Sequence, residues 1–178
     1  APNMPEYCTV FHAVAYAGGT ITTLNPSYTA PEIHHQLMDS GADLLITVAD
    51  FLPQARAGAV GTGVRRIAVI GGGEGAGGGE TGLDDLLGAP LTAQVPVDLA
   101  RHPVVLPYSS GTTGLPKGVM LSHRNLVVNV DQGLAVIRIE PGETTVAFLP
   151  FFHIYGMNVL MNTHLAAGAA LVTMPRFD

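Results

Sequence analysis

Tyr7, Val10, Phe11, Val14 and Ala15 recur at the three- and four-residue spacing of a single helical face, after Pro5 and before Gly18-Gly19, and predict a buried helix. The β-branched run Thr20 to Leu24, stopped by Asn25-Pro26, predicts a strand and a turn. Thr29-Ala30-Pro31-Glu32 has capping-box spacing, and Ile33, Leu37 and Met38 line one face of the helix it opens, which Gly41 ends. Leu44 to Val48 is a continuous apolar run of the kind found in strands buried on both faces; Phe51 to Ala59 reads as a short helix and Arg65 to Ile70 as another buried strand. Further on, Val104 to Leu106 predicts a strand, Gly118 to Leu121 another, and Leu126, Val127, Val130, Leu134 and Ile137 an inward helical stripe from a Ser122 cap. Thr145 to Leu149, a helix over Gly156 to Ala167 with Leu160, Met161 and Leu165 inward, and a strand over Ala170 to Met174 complete the pattern.

Strands alternating with helices at this spacing predict an α/β fold, with mostly parallel sheet layers and flanking helices. The chain is expected to divide into an α/β unit over 1–70, a Gly-rich loop and connection over 71–100, and an α/β unit over 101–178, all within one partial domain. The last unit holds a second glycine-bearing loop.

Composition narrows the class. The 178 residues are 47% apolar but only 12% charged, against roughly 25% charged in an ordinary domain. So sparse a supply of surface charge, in a chain with no element after its last strand, suggests part of a larger body that buries the remaining apolar surface. The formal charge of -6 argues against nucleic acid or an anionic membrane as partner. A lone cysteine, Cys8, excludes an internal disulfide and fits a reducing, cytoplasmic setting; its simplest role is that of a small buried hydrophobe. The most apolar stretch, Val159 to Met174, is broken by Asn162, Thr163, His164 and Gly168 and falls short of the run of about 20 residues that a membrane helix needs. No signal peptide is visible, and no set of metal ligands is singled out.

Two glycine loops compete as phosphate cradles. Gly73 to Gly78 fits G-x-G-x-x-G after a strand, with Asp98 some way beyond, which would suit a dinucleotide-binding module. The residues after Gly78 make a poor helix start, however, and Glu74 and Glu80 would flank the anion, so an ordinary surface loop is the better reading. The second loop is Tyr108-Ser109-Ser110-Gly111-Thr112-Thr113-Gly114-Leu115-Pro116-Lys117-Gly118. Gly111 and Gly114 would let backbone N–H groups approach a polyphosphate, Ser109, Ser110, Thr112 and Thr113 add hydroxyl donors, and Lys117, the only lysine, supplies a point charge. No acid lies between Arg101 and Asp131 to oppose a triphosphate. The spacing is not that of a Walker A loop, and a plain Ser/Thr/Gly turn is the competing explanation.

Tyr108 to His123, YSSGTTGLPKGVMLSH, resembles the signature phosphate loop of the adenylate-forming superfamily of acyl- and aryl-CoA ligases, peptide-synthetase adenylation domains and beetle luciferases. Leu149 to Gly156, LPFFHIYG, and Met174 to Asp178, MPRFD, resemble its following motifs, and Pro2 to Tyr7 with Asn25 to Thr29 are similar to the 4-coumarate-CoA ligase group. The resemblance spans essentially the whole chain and implies part of a large N-terminal domain.

That likeness implies ATP-dependent activation of a carboxylic acid to acyl-AMP and transfer to coenzyme A, with Mg²⁺ accompanying the nucleotide. It gives Ser109, Ser110, Gly111, Thr112, Thr113, Gly114 and Lys117 the β- and γ-phosphates, His153 and Tyr155 the acyl pocket, and Lys117 and His153 catalytic parts. Arg176 falls where relatives place a basic residue near coenzyme A, though a solvated arginine is the alternative; His123 matches the motif but equally suits a helix entry. The partners implied are the acid, ATP, coenzyme A and the remainder of a parent enzyme with a mobile C-terminal domain. Without those remaining parts the chain alone is expected to be inactive. Fatty acyl-CoA ligases and other adenylating enzymes share the motifs, and a non-catalytic scaffold would retain the fold without turnover.

Overall fold

Helix α1, Pro5–Tyr16, is the first element of the computed structural model, which describes residues 1–72, 79–109 and 116–174. Pro5 sits in its first turn, where a missing N–H costs nothing. Its end is a Schellman motif: Gly18, at φ +74°, donates to the Ala15 carbonyl at 3.1 Å and Gly19 to Val14 at 2.8 Å. The helix belongs to one of two compact units into which the chain folds.

The first unit contains residues 24–92 and 110–118 with Ala1. Helix α2, Ala30–Ser40, starts where Glu32 Oε2 accepts from both the Thr29 N–H and its hydroxyl at 2.7 Å, and ends at Gly41 with φ +66°. It packs on α3, Leu52–Ala59, so closely that a Cβ on Gly58 would lie 2.5 Å from Ile33 Cγ2. The sheet is parallel: β2, Leu44–Val48, pairs with β3, Arg66–Ile70, which pairs with β4, Thr81–Gly82. Ile33, Leu37, Leu45 and Ala55 form its buried core. Leu44 and Met38 depart from the expected burial, at 38% and 55% exposed, because strand alternation and the edge of the helical face turn them outward.

The second unit contains residues 2–23, 93–109 and 119–178. Strand β1, Ile21–Thr22, is shorter than its β-branched run suggests; it pairs in parallel with β5, Pro103–Leu106, whose other neighbour β8, Leu121–Ser122, runs antiparallel. The strand expected over Gly118 to Leu121 is two short pieces, since Lys117–Gly118 is β7, in the first unit, and β8 begins at Leu121. Tyr108–Ser109 is β6. Beyond α4, His123–Val136, come β9, Thr144–Ala147, and its parallel partner β10, Ala170–Thr173.

Between these last strands lies a π-helix, Tyr155–Asn162, running into the short α5, Thr163–Ala166, where the sequence suggests one α-helix. Buried Thr163 fills the wider turn, its hydroxyl donating to the carbonyl of Asn158 at 2.9 Å. Asn158 Nδ2 in turn donates to Asn129 Oδ1 at 2.7 Å and the Leu126 carbonyl at 3.3 Å, tying the π-helix to α4. Phe11, Val104, Val105, Leu126, Ala147, Phe151, Met157, Leu160 and Met161 make this unit's core. The α4 stripe is only partly buried: Leu126 is covered, but Val127 is 57% and Ile137 39% exposed, and Leu165 on α5 is 39% exposed. Within the described residues no helix is long and apolar enough to cross a membrane.

Candidate functional site

The described flanks of the hydroxyl-rich loop are Ser109 and Lys117, both exposed; Ser110, Gly111, Thr112, Thr113 and Gly114 lie outside the described residues, as does Arg176. Residue 116 has a specific anchor in the first unit. A carbonyl can only accept, so the 3.2 Å contact between His35 Nε2 and the Pro116 oxygen makes His35 the donor and places its ring proton on Nε2. The helix α2 thereby fixes the backbone immediately before Lys117. In the second unit the Val119 N–H donates to the Pro107 carbonyl at 2.9 Å.

The segment Leu149 to Gly156 is better defined. The turn closes through the His153 N–H to the Pro150 carbonyl at 3.1 Å, and the Met157 N–H donates to the His153 carbonyl at 2.9 Å. Tyr155 donates its N–H to His153 Nδ1 at 3.2 Å, so the neutral imidazole carries its proton on Nε2 and offers that edge as a donor. His153 and Tyr155 are both exposed, Tyr155 at 55%, beside Phe151 and Met157, which are fully buried. Gly156 is required by close approach. A Cβ there would stand 2.2 Å from the Pro150 oxygen, so only glycine lets the π-helix begin against that turn.

Two buried side chains that the sequence does not single out hold the same segment: Asn3 bonds the backbone at 147, 149 and 151, and Thr23 bonds that at 152. Asn3 lies within the matching stretch Pro2 to Tyr7, but an Asn shortly before a helix reads first as a cap, and its true partners are more than a hundred residues away.

His123 heads α4 after a Ser122 cap, in which the Asn125 N–H donates to Ser122 Oγ at 3.3 Å and Asn125 Oδ1 accepts from the Ser122 N–H at 2.9 Å. Its ring stacks on His102 with centroids 6.1 Å apart, and burial, helped by the proximity of His102, lowers its pKa. The geometry at this position is that of a helix entry. Burial likewise raises the Cys8 thiol pKa, keeping it an unionised apolar group.

Gly73 to Gly78, the other glycine loop, lies outside the described residues, Glu74 with it, but Glu80 and Asp98 have structural partners. Glu80, 4% exposed, takes a bidentate pair from Arg56 at 2.6 and 2.8 Å, and Asp98 Oδ1 accepts from the Ala100 N–H at 2.9 Å in a turn.

The model of the family described as AMP-binding enzyme matches residues 1–178. The chain is 40% identical over 181 residues to 4-coumarate-CoA ligase 5 of Oryza sativa subsp. japonica, covering 99% of this chain and 33% of that protein. It is 36% identical over 192 residues to 4-coumarate-CoA ligase 4 of Arabidopsis thaliana, with 99% and 33% covered. Among solved structures, a long-chain-fatty-acid-CoA ligase from Archaeoglobus fulgidus superposes with a TM-score of 0.89 at 30% identity, over 99% of this chain and 34% of that one. A red-emitting luciferase from Phrixothrix hirtus, at 23% identity and a TM-score of 0.87 over 99% of this chain and 35% of its own, shares the fold. The chain thus spans about a third of the length of the relatives it matches.

Proposed function

Since this chain belongs to the AMP-binding enzyme family, we propose that it serves a CoA ligase that activates a carboxylic acid with ATP. In the first step a carboxylate oxygen attacks the α-phosphorus, the bond to the bridging oxygen breaks, and pyrophosphate leaves. In the second the thiol of coenzyme A attacks the acyl carbon, losing its proton, and AMP departs. The carboxylate is already a nucleophile, so the protein's task is alignment and neutralisation of phosphate charge. Ser109 to Gly114 and Lys117 would supply donors and a cation to the β- and γ-phosphates. A donor set of hydroxyls and one ammonium does not fit a resident divalent cation, so Mg²⁺ would enter coordinated to the nucleotide.

His153 and Tyr155 would line the acid's pocket, with the Nε2–H edge of His153 as a donor. Relatives named for 4-coumarate favour an aryl acid over a fatty acid; Arg176 would lie near coenzyme A, and the location would be cytoplasmic. The observation that carries the reading is the run Tyr108 to His123 in a chain matched along its whole length by the family.

Acid-dependent ATP–pyrophosphate exchange tests it. In the enzyme that contains this chain, Lys117→Ala should abolish exchange, whereas the 178-residue chain alone should show none. Undiminished exchange after Lys117→Ala, with binding of a nicotinamide dinucleotide, would instead favour the Gly73 to Gly78 loop.

A further inference from the structure

Among the described residues no strand pairs with Leu149 to Phe152, the segment that leads from β9 into the π-helix, and side chains bond its backbone instead. Asn3, 7% exposed, donates from Nδ2 to the carbonyls of Ala147 at 2.9 Å and Leu149 at 2.8 Å, and its Oδ1 accepts from the Phe151 N–H at 2.8 Å. One amide therefore uses both its donors and its acceptor on a single turn, a set that no other side chain of this size can reproduce. Thr23, also 7% exposed, donates from Oγ1 to the Phe152 carbonyl at 2.7 Å.

The ordering continues past these contacts. Pro150, between two residues held by Asn3, accepts from the His153 N–H at 3.1 Å, and His153 Nδ1 accepts from the Tyr155 N–H at 3.2 Å. Asn3 and Thr23 are buried where the exposed His153 and Tyr155 are not, so any effect they have on a ligand passes through the turn.

We infer that Asn3, seconded by Thr23, is a positioning residue of the carboxylic-acid site: it fixes the turn from which His153 and Tyr155 project. This rests on the assignment of those two residues to the acid's pocket. Lys117 is ordered through a different contact, the Pro116 carbonyl held by His35. Loosening the Asn3 clamp should consequently weaken the enzyme's hold on the acid and leave its hold on ATP unchanged.

The experiment uses the complete enzyme and three variants. Asn3→Ala removes the clamp, Asn3→Asp keeps its volume and the Phe151 acceptor but loses both donors, and Thr23→Val removes one hydroxyl. In pyrophosphate exchange with 4-coumarate, Asn3→Ala and Asn3→Asp should raise the KM for the acid on the order of tenfold or more, with the KM for ATP within about twofold. Thr23→Val should shift it the same way by less. Equal KM values with only a reduced kcat would mark a purely structural role and overturn the inference. Amide hydrogen exchange on the unaltered protein adds a check that needs no variant: Phe151 N–H should be strongly protected, and exchange at the rate of an open loop overturns the clamp. Absence of acid-dependent exchange in the unaltered enzyme with 4-coumarate, other aryl acids and fatty acids would instead sink the functional reading, and with it the role of Asn3, even where Phe151 proves protected.

Discussion

Adding one methyl group at Gly156 is the sharpest test of how the site segment is built. The Cβ of Gly156→Ala would stand 2.2 Å from the Pro150 oxygen, 2.8 Å from its carbonyl carbon and 3.1 Å from the Leu149 oxygen, all of them backbone atoms with no rotamer to yield. The start of the π-helix must retreat by close to an ångström, yet Phe151 on one side and Met157 on the other are fully buried and well packed. Overpacking of this kind costs about 3 kcal/mol, the upper part of the usual range. In a chain of this size that corresponds to a fall of roughly 6 to 12 °C in Tm. Gly88→Ala is the control, because nothing lies within 4 Å of its Cβ and its φ is not positive; its stability should be unchanged or rise by up to about 1 kcal/mol. Thermal unfolding followed by circular dichroism measures both. A Gly156→Ala protein melting within about 2 °C of the unaltered chain would show that the π-helix does not abut the turn as described.

Three more outcomes follow from other contacts. Gly58→Leu should separate α2 from α3, since even a Cβ would meet Ile33 Cγ2 at 2.5 Å and the Ala30 oxygen at 3.1 Å, and should cost about 2 to 3 kcal/mol in denaturant titration; an unchanged midpoint would contradict the close crossing. Ser122→Ala removes the side-chain acceptor of the Asn125 N–H and should cost about 1 kcal/mol, with faster amide exchange confined to the first turn of α4. His123 has a lowered pKa in the folded protein, so the unfolded chain binds its proton more readily; this contribution is complete above about pH 6.5 and declines as the pH falls from there to the folded pKa. His123→Asn should flatten the acid side of the stability profile measured from pH 5 to 8, and an unaltered slope would dissociate His123 from it.

Much of the architecture is legible along the chain because its signals are local. Pro5, Pro31, Gly18 and Gly41 punctuate helices through their own backbone preferences, and those helices begin and end where these residues stand. The parallel strands over Leu44 to Val48 and Ala170 to Thr173 announce themselves as apolar runs. Periodicity reports which face of a helix is apolar and not what covers it, which is why Val127 and Leu165 look like core residues and are exposed. The π-helix has no periodic signature: it depends on the Thr163 hydroxyl and the Asn158 carbonyl meeting after the chain has folded. At the candidate site, His153 and Tyr155 are visible through the motif around them. Asn3, Thr23 and His35 are not, because each acts on a backbone group distant in sequence.

The second unit draws on both ends of the chain, and that has a consequence during synthesis. Asn3 leaves the ribosome first, whereas the carbonyl of Ala147 that it will bind follows 144 residues later. At ordinary elongation speeds of about 5 to 20 residues per second, the Asn3 amide waits roughly 7 to 30 s for that acceptor. Phe11 on α1 can meet Val104 and Val105 once those residues have emerged, but Ala147, Phe151, Met157, Leu160 and Met161 of the same cluster arrive only at the end of that wait or after it. The turn that carries His153 and Tyr155 can therefore be fastened only late in synthesis, after most of this unit has been translated.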